Sequence, residues 1–345
     1  MNIIIPMAGL GTRLRPHTLQ TPKPLIPVAG KSIAERLVRE IAQVMQQPID
    51  KISFIIKPSF GKDVEKQLLD IASDIGATGQ IDYQTDALGT AHAIYSAKSL
   101  LEGPVVVAYA DTLFKGAFDL DNNADSIIWV KKVDKPEAFG VVKLNDKNEI
   151  EGFVEKPKEF VSDLAIIGIY YFKEGKQLKD EIQYLFDHDI RIGGEYQLTT
   201  ALENMKRKGL IFKPGTVSDW MDFGNPKVAV ETNAKVLKYD FDEGKNLISE
   251  NIKVVDSEII EPCYIADGVE IINSTVGPYV SLGKASKIEN SNVRNSLIQN
   301  HTSIKNADIK DSMIGSFVKY DGNFEVLNLG DYSTCLLYTS PSPRD

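Results

Sequence analysis

The sequence predicts an α/β fold, in which a mostly parallel, doubly wound sheet with an antiparallel insertion is followed by a short parallel β-helix. Apolar runs alternate with amphipathic segments of helical periodicity from residue 3 to residue 110, which is typical of a parallel sheet covered on both faces. From residue 126, strand-like runs follow one another without helices. Beyond residue 258, an aliphatic side chain recurs every five or six positions.

The alternating part of the chain supports the parallel sheet element by element. Predicted strands lie at 3–6, 52–56, 81–83 and 105–110, and predicted helices lie at 33–44, 64–75 and 89–101. Each helix is predicted from apolar residues that fall on one face. Ligands of such sheets bind beyond the carboxyl ends of the strands. The loop after the first strand and Asp111 after the 105–110 strand both fall there, so one shared site is expected.

The loop after the first strand, residues 7–16, has the composition of a phosphate cradle and is called the glycine loop. Gly9 and Gly11 let the backbone approach an anion, and successive N–H groups form a concavity of positive potential. Arg13 and Lys23 add positive charge beside it. A dinucleotide fingerprint needs a third glycine where Leu14 stands, and a Walker loop needs Gly-Lys-Ser/Thr at positions 11–13. Neither of these commoner motifs fits.

The later segments predict an insertion and a domain boundary. Predicted strands at 127–133, 139–144, 150–154 and 165–172 favour an antiparallel insertion packed on the first sheet. Helical periodicity returns at 178–185, 198–205 and 228–237, and the composition turns polar near 239–244. The predicted organisation is a first domain over 1–238, a linker over 239–250, a β-helix over 251–334 and a non-native tail over 335–345, which is rich in Ser and Pro.

The β-helix is predicted from one regular series of aliphatic residues. The series runs through Ile259, Ile265, Ile271, Val276, Leu282, Ile288, Val293, Ile298, Ile304, Ile309 and Ile314. Three such steps make one triangular coil with the aliphatic side chains stacked inside. Ordinary short strands would not keep this spacing through roughly three coils. Open end coils favour a cap or homo-oligomerisation.

Composition argues against several classes of function. The formal net charge of -9, without a Lys/Arg block, argues against a nucleic-acid surface. Cys263 and Cys335 are too few for a disulfide framework or a thiolate metal site, and the four histidines show no metal spacing. No apolar run approaches transmembrane length, and a basic signal-peptide region is missing at the N-terminus. A cytoplasmic protein that does not bind membranes is therefore expected.

Further motifs follow the glycine loop in a fixed order. They are Pro22-Lys23-Pro24-Leu25-Ile26-Pro27-Val28, Gln84 with Gly89-Thr90-Ala91, Ala110-Asp111, Phe139-Gly140-Val141-Val142, Glu155-Lys156-Pro157, Gly193-Gly194-Glu195-Tyr196-Gln197-Leu198-Thr199 and Trp220-Met221-Asp222-Phe223-Gly224-Asn225. Together with Gly9-Leu10-Gly11-Thr12-Arg13-Leu14, this set resembles the sugar-1-phosphate nucleotidylyltransferases, over about residues 1–237. The resemblance implies a Rossmann-like catalytic sheet, to which this family commonly appends a left-handed β-helix.

The resemblance also implies a reaction, in which a sugar-1-phosphate oxygen attacks the α-phosphorus of an NTP and pyrophosphate leaves. Backbone amides would hold the triphosphate at Ala8, Gly9, Leu10, Gly11 and Thr12. Arg13 would stabilise the departing pyrophosphate, and Lys23 would contact the phosphates nearer the reacting centre. Asp111 and Asp222 are hard oxygen ligands suited to Mg²⁺.

Substrate recognition is assigned in the same way. Gln84 would offer its amide to the Watson–Crick edge of a pyrimidine, with Gly89 and Thr90 beside the base. The residues implied for the sugar phosphate are Gly140, Glu155, Lys156 and Glu195. Three interpretations without a role in ligand binding stay open: a solvated Gln84, a turn-capping Asp111, and a surface turn at Glu155-Lys156-Pro157.

The substrates and two rival functions also stay open. dTTP with glucose-1-phosphate is the first choice, UTP the second and GTP with mannose-1-phosphate the third, because one thymine methyl is worth only about 1–3 kcal/mol of discrimination. A non-catalytic regulatory or nucleotide-sugar-binding homologue is disfavoured by the intact Arg13, Lys23, Asp111 and Asp222. An acyl-transferring β-helix is disfavoured because His301 is the only histidine in the repeat.

Overall fold

A computed structural model describes residues 1–45, 47–118, 120–322 and 324–336 of the chain. The chain forms two compact units. The first unit comprises Met1–Gly9 and Ala34–Met221, and the second comprises Leu10–Ile33 together with the chain from Asp222 onward. Residues 337–345 of the predicted tail lie outside the described residues, whereas Cys335 and Leu336 belong to the last strand.

The strands up to residue 222 are β1 (Asn2–Pro6), β2 (Pro27–Val28), β3 (Lys31–Ser32), β4 (Lys51–Ile56), β5 (Thr78–Tyr83), β6 (Val105–Ala108), β7 (Thr112–Lys115), β8 (Ser126–Lys132), β9 (Gly140–Leu144), β10 (Ile150–Glu155), β11 (Leu164–Phe172), β12 (Phe212–Thr216) and β13 (Asp219–Asp222). The α-helices are α1 (Ile33–Met45), α2 (Lys62–Asp74), α3 (Thr90–Ser96), α4 (Gly175–Asp187), α5 (Leu198–Arg207) and α6 (Pro226–Asp242).

The main sheet of the first unit has the order β10-β9-β11-β6-β1-β4-β5, with β8 on β11 and β12 on β8. β6, β1, β4 and β5 run parallel, and β11 runs antiparallel to β6 and β8. Ile3, Ile4 and Ile5 of β1 are all fully buried, so both faces of the strand are covered. Ile4 belongs to the core that is shared with α3, α4 and α5. The predicted α/β architecture is confirmed.

The structure corrects the predicted elements in three respects. The antiparallel strands do not pack on the first sheet as a separate layer, because β11 hydrogen-bonds directly to β6 and extends that sheet. α3 ends at Ser96 rather than near residue 101, and β7, β12 and β13 were not predicted. These three strands contain Lys, Gly, Pro or Asp, which weakens the apolar run that marks a strand. The predicted linker 239–250 begins inside α6.

The chain after α6 contains fifteen short strands among the described residues: β14 (Lys253–Val255), β15 (Glu258–Ile259), β16 (Cys263–Ile265), β17 (Glu270–Ile272), β18 (Thr275–Val276), β19 (Val280–Leu282), β20 (Lys287–Glu289), β21 (Asn292–Val293), β22 (Ser296–Ile298), β23 (Ser303–Lys305), β24 (Asp308–Ile309), β25 (Met313–Ile314), β26 (Lys319–Asp321), β27 (Asn328–Leu329) and β28 (Thr334–Leu336). They form three parallel sheets, β14-β17-β20-β23-β26-β28, β15-β18-β21-β24 and β16-β19-β22-β25-β27.

These sheets are the three sides of the predicted β-helix. The aliphatic residues of the predicted series fill its interior, and those from Ile265 to Ile314 are at most 1% exposed. The expected length of roughly three coils is too short, since the sheets hold six, four and five strands in the described residues. Tyr320 and Cys335 continue the stack above Ile304. An aromatic ring and a thiol take the inner positions there, which a search for aliphatic spacing does not detect.

No α-helix in the described ranges has both the length and the apolar composition that crossing a membrane requires.

Candidate active site

The glycine loop turns at Gly11 and then forms a short 3-10 helix. Gly11 has a left-handed backbone (φ 60°, ψ 35°), and the 3-10 helix covers Thr12–Leu14. The Thr18 hydroxyl closes the turn by donating to the Gly11 carbonyl oxygen at 2.9 Å. Across the described parts of the chain, the backbone N–H groups of Leu10 and Gly11 donate no hydrogen bond. Because Arg13 is also exposed, the loop presents both backbone donors and a full positive charge to an anion.

Packing of neighbouring side chains requires glycine at position 11 of this loop but not at position 9. A Cβ on Gly11 would lie 2.9 Å from Cβ of Lys23 and 3.1 Å from Cγ2 of Thr18. Glycine at position 11 therefore lets the buried Lys23 pack directly on the loop. A Cβ on Gly9 would have no heavy atom within 4 Å. The packing of the protein therefore does not require glycine at position 9. Close approach of a ligand to the backbone would require it.

Gln84 follows β5 and is 9% exposed. Its Nε2 donates to the Gly89 carbonyl oxygen at 3.3 Å and lies 3.3 Å from Nδ1 of His92. Burial lowers the pKa of His92, which favours a neutral ring whose Nδ1 accepts this hydrogen bond. Both amide hydrogens of Gln84 then point to protein acceptors, so Oε1 is the atom left to accept from a ligand. The interpretation of Gln84 as a solvated side chain is wrong.

Gly89 and Thr90 connect the start of α3 to the segment before α5. Gly89 has φ 112°, and a Cβ there would lie 2.4 Å from the Tyr196 carbonyl oxygen. This close backbone approach requires glycine whatever the ligand. The Thr90 hydroxyl accepts from the Leu198 N–H at 2.9 Å and lies 3.3 Å from Oε1 of Gln197. Both residues therefore have a structural role in addition to any role beside a base.

Tyr109, which follows β6, gathers three of the predicted site residues around one phenol. Its phenol lies close enough to Thr90, Glu155 and Asp111 for each of these residues to affect its pKa. Burial is the main cause that raises the pKa of Tyr109 well above its ordinary value. The ring packs edge-on against Tyr170, with centroids 6.0 Å apart. The fold thus brings α3, the turn after β6 and the end of β10 to one place.

Glu155 ends β10 directly opposite Gly140 of β9. A Cβ on Gly140 would lie 3.1 Å from Oε2 of Glu155 and 3.5 Å from Cγ2 of Thr199. The Thr199 hydroxyl lies 3.4 Å from the same carboxylate oxygen. The Glu155 side chain is 27% exposed, so it is oriented by the protein and still reachable from solvent. It does not belong to a plain surface turn.

Lys156 and Glu195 are exposed residues linked to this group. Lys156 has a left-handed backbone, with φ 41°. Its Nζ lies 4.0 Å from Oε1 of Glu155, and its side chain is 68% exposed. Glu195 accepts from Nε2 of Gln197 at 2.8 Å, and the same Gln197 contacts Thr90. Each of the two can therefore move to meet a ligand without leaving a buried partner behind.

The two predicted metal ligands lie at the ends of paired strands. Asp111 directly precedes β7 and Asp222 closes β13, and these two strands form a small sheet. In the described ranges there is no group of three or more His, Cys, Asp or Glu side chains that could hold a metal ion. Mg²⁺ is commonly bound through one or two carboxylates together with substrate phosphates. Each carboxylate is a hard oxygen donor of the kind that suits a divalent cation.

The predicted site residues are divided between the two units. The first unit contains Ala8, Gly9, Gln84, Gly89, Thr90, Asp111, Gly140, Glu155, Lys156 and Glu195, and the second contains Leu10, Gly11, Thr12, Arg13, Lys23 and Asp222. The sequence analysis assigned no role to Tyr109, which directly precedes the quoted Ala110-Asp111, or to Thr199, which ends a quoted motif. A polar side chain next to a motif and inside an apolar strand or helix face was the available signal.

A family model described as nucleotidyl transferase matches residues 2–239. The chain belongs to this family. The match includes every predicted site residue and ends within α6, so the β-helix lies beyond it. The resemblance drawn from the motifs is thereby confirmed.

Three relatives of this chain have different assigned functions. The bifunctional protein GlmU of Methanococcus maripaludis is 32% identical over 76% of this chain, and the match covers 60% of GlmU. The low-salt glycan biosynthesis nucleotidyltransferase Agl11 of Haloferax volcanii is 30% identical over 91% of this chain and 92% of its own. The glucose-1-phosphate thymidylyltransferase of Streptomyces griseus is 28% identical over 96% of this chain and 98% of its own.

Among solved structures, the fold is similar to that of a candidate glucose-1-phosphate thymidylyltransferase from Bacillus anthracis in complex with sucrose. The TM-score is 0.55, and the sequences are 24% identical. The match covers 68% of this chain and 94% of the other. This similarity supports the α/β architecture.

Proposed function

We propose that the chain is a sugar-1-phosphate nucleotidylyltransferase, which forms an NDP-sugar and pyrophosphate from an NTP and a sugar-1-phosphate. Residues 1–238 would carry the reaction. The observation behind this proposal is the grouping of Thr90, Asp111 and Glu155 around Tyr109. The three were assigned separately to the nucleotide, a metal and the sugar, and a single reaction needs all of these functions in one place.

The reaction needs no nucleophilic side chain, because the sugar-1-phosphate supplies the attacking oxygen. A bond forms between that oxygen and the α-phosphorus while the bond to pyrophosphate breaks. The protein contributes in-line placement and preorganised positive charge. The unbonded N–H groups of Leu10 and Gly11 would bind the triphosphate. Arg13 would stabilise the charge that develops on pyrophosphate, and Lys23 would pair with the phosphates nearer the reacting centre.

We assign Mg²⁺ to Asp111 and Asp222. Both are carboxylates at the ends of the paired strands β7 and β13. When bound, the cation would neutralise phosphate charge and help to orient the triphosphate. The role of the chain in this step is to supply two hard oxygen ligands.

The nucleotide is proposed to be dTTP, with UTP as the alternative. Gln84 directs Oε1 away from its internal partners, and a carbonyl oxygen can accept from the N3–H that thymine and uracil share. The Streptomyces griseus relative named as a thymidylyltransferase matches nearly the whole chain, which favours dTTP. The GlmU and Agl11 relatives carry other names, so UTP and GTP belong in any test.

The sugar phosphate is proposed to be glucose-1-phosphate. Glu155, with one oxygen near Thr199, can accept from sugar hydroxyls. The neighbouring Lys156 can pair its exposed ammonium group with the phosphate. Gly140 would let the sugar lie against the backbone, and Glu195 would contact the hexose. Mannose-1-phosphate with GTP is the third choice.

No second function is proposed for the β-helix. His301, its only histidine, stacks on Phe317 with centroids 4.9 Å apart, and Phe317 stacks on Tyr332. This ladder occupies an outer corner of the solenoid, where the three residues share a left-handed backbone. The ladder gives the imidazole a packing role. Homo-oligomerisation and a cytoplasmic location stay predictions from the sequence.

A substrate panel tests the proposal. Purified protein is incubated with Mg²⁺, each of dTTP, UTP, GTP, ATP and CTP, and each of several hexose-1-phosphates, and pyrophosphate release is measured. The highest kcat/KM is expected for dTTP with glucose-1-phosphate. Pyrophosphate release that requires both substrates supports the enzyme. A protein that binds an NDP-sugar but releases no pyrophosphate with any pair would instead be the non-catalytic homologue.

A further inference from the structure

One face of the β-helix, the sheet β16-β19-β22-β25-β27, differs from the other two in what packs on it. Within the second unit this face contacts segment 10–33, which is the stretch between Leu10 and Ile33 that carries Arg13 and Lys23. The same face contacts α6, the helix that begins shortly after Asp222. The contacts are spread from the first strand of the sheet to the last.

The lower part of this face holds the second half of segment 10–33. Gly30 lies so close to the Tyr264 ring that a Cβ on the glycine would be 2.3 Å from Cζ of the tyrosine. Gln299, just after β22, donates from Nε2 to the Pro27 carbonyl oxygen at 3.2 Å. Both contacts hold the hairpin of β2 and β3, which follows Lys23 directly.

The upper part of this face holds the last residue of the glycine loop, Pro16, and the residue that follows it, His17. His17 is 5% exposed, and its Nε2 lies 2.7 Å from Oδ1 of Asn328 in β27. Burial lowers the pKa of His17, against the opposing effects of Asn328 and Asp331. A neutral ring is therefore favoured, and Nε2 carries the proton because an amide oxygen can only accept. One strand end further, Gly330 meets Pro16, where a Cβ would lie 2.8 Å from Cβ of the proline.

α6 is anchored on the same face by a buried amide. Asn233 is fully buried, and its Oδ1 accepts from the Ser281 hydroxyl at 2.7 Å. At the preceding residue of α6, the Thr232 hydroxyl donates to the carbonyl oxygen of Asp222 at 2.9 Å. The helix thereby links the backbone of Asp222 to β19.

We propose that this face of the β-helix is a positioning platform for nucleotide turnover, and that Asn328 and Gly330 are positioning residues for the loop that carries Arg13. Neither residue touches substrate in this proposal. Their effect is to hold the glycine loop in the one arrangement in which its amides and Arg13 meet the triphosphate. Donors that stabilise a transition state must be fixed to within about 0.5 Å, and the contacts at Pro16 and His17 fix the end of the loop that follows Arg13. This inference rests on the proposed role of the glycine loop in binding NTP.

The test replaces the acceptor and leaves the loop sequence intact. Asn328→Leu removes the partner of His17, and Asn328→Asp keeps an acceptor oxygen at the same place. Gly330→Ala is an independent variant that adds a methyl group against Pro16. Asn292→Leu is the matched control, because Asn292 is also an exposed strand residue but lies in β21, on another face.

Two readouts are measured for each full-length variant: steady-state kinetics of pyrophosphate release, and hydrogen–deuterium exchange of backbone amides in residues 10–19. Asn328→Leu is expected to lower kcat/KM for the NTP about tenfold, the factor that one ordinary hydrogen bond represents, with KM for the sugar phosphate unchanged. Exchange of the loop amides is expected to rise. Asn328→Asp is expected to restore most of the kcat/KM for the NTP and most of the protection of the loop amides. Gly330→Ala is expected to behave like Asn328→Leu.

The outcomes separate the platform from the proposed function. Unchanged NTP kinetics and loop exchange in both Asn328→Leu and Gly330→Ala would overturn the platform. Equal losses in Asn292→Leu would also overturn it, since a general weakening of the solenoid would then be the cause. A wild-type protein without turnover would remove the proposed function, and loop exchange alone would then decide whether Asn328 and Gly330 hold the loop.

Discussion

The glycine loop and the group of residues around Tyr109 are built in opposite ways. In the loop, Arg13 is exposed, and the N–H groups of Leu10 and Gly11 donate to no acceptor in the described part of the protein. Around Tyr109 the polar side chains are already engaged, since the Thr90 hydroxyl accepts from the Leu198 N–H and Glu155 lies beside Thr199. The first region offers charge and donors, and the second offers a prearranged shape.

This difference indicates which property each region contributes. Triphosphate binding depends on net positive charge and on donors that are not yet used, so side-chain fixation in the loop has to come from outside it. Recognition of a base and a sugar depends on direction, and internal hydrogen bonds set the direction of Gln84 and Glu155. Substitutions in the loop should therefore affect the use of the triphosphate most, and substitutions of Gln84 and Glu155 should affect recognition of the base and the sugar most.

The largest effect is expected for Arg13→Ala. Loss of one preorganised charge at the leaving group should lower kcat by about 10²–10³, and thermal stability should stay the same because the side chain is exposed. Pyrophosphate release and thermal unfolding measure the two. Arg15→Ala, which removes an equally exposed charge from the same loop, is the control. A similar loss in both variants would show that overall charge, and not Arg13, is responsible.

A somewhat smaller effect is expected for Asp111→Asn and Asp222→Asn. Each should lower kcat by about 10² and raise the Mg²⁺ concentration that gives half-maximal rate, because an amide is a weaker ligand for a hard cation. Magnesium titrations of the initial rate measure this. Asp242→Asn is the control, since its carboxylate pairs with Lys238 on the surface of α6. An unchanged Mg²⁺ dependence would remove both residues from the metal site.

Glu155→Gln tests the other region of the comparison. Loss of a charged acceptor for sugar hydroxyls, worth about 1.5–3 kcal/mol, should raise KM for the sugar phosphate by about 10- to 100-fold, with KM for the NTP unchanged. Glu151→Gln, an exposed change on the same strand, should leave both constants unchanged. A rise in KM for the NTP alone would contradict the assignment of Glu155 to the sugar.

The two loop glycines give a sharper test of the same contrast. Gly9→Ala should raise KM for the NTP about tenfold, the factor that loss of one backbone contact represents, without lowering the unfolding midpoint, because no atom lies near the added Cβ. Gly11→Ala should lower the midpoint, since a left-handed backbone with a side chain costs about 1–2 kcal/mol. Equal destabilisation by the two substitutions would mean that position 9 is also constrained by the fold.

The smallest effect is expected for Gln84→Ala. Removing one neutral hydrogen bond to the base, worth about 0.5–1.5 kcal/mol, should reduce discrimination between pyrimidine and purine NTPs by about 2- to 10-fold. Selectivity should change more than folding stability. Competition assays with paired NTPs measure this selectivity, and Gln80→Ala, in the strand that precedes Gln84, is the control. Discrimination that survives in Gln84→Ala would place base recognition elsewhere.

Local patterns in the sequence were enough for a large part of the fold. The alternation of apolar runs and helical periodicity predicted the strands and helices around β1, because burial on both faces of a parallel strand imposes apolar residues directly. The aliphatic spacing from Ile265 to Ile314 predicted the interior of the β-helix for the same reason. The antiparallel strands were predicted as elements, but their place in the first sheet was not, since pairing partners leave no local signal.

The candidate site divides along the same line. The glycine loop, with Arg13 and Lys23, could be found from the sequence because a phosphate cradle needs particular residue types close together in the chain. The different structural requirements for Gly9 and Gly11 could not be found from the sequence, because they depend on where Lys23 packs. The surroundings of Tyr109 and the contact of His17 with Asn328 join residues far apart in sequence. The orientation of Gln84 depends on how Gly89 and His92 pack against it. Only tertiary packing decides such contacts, and they fix how the charges that the sequence supplies are held.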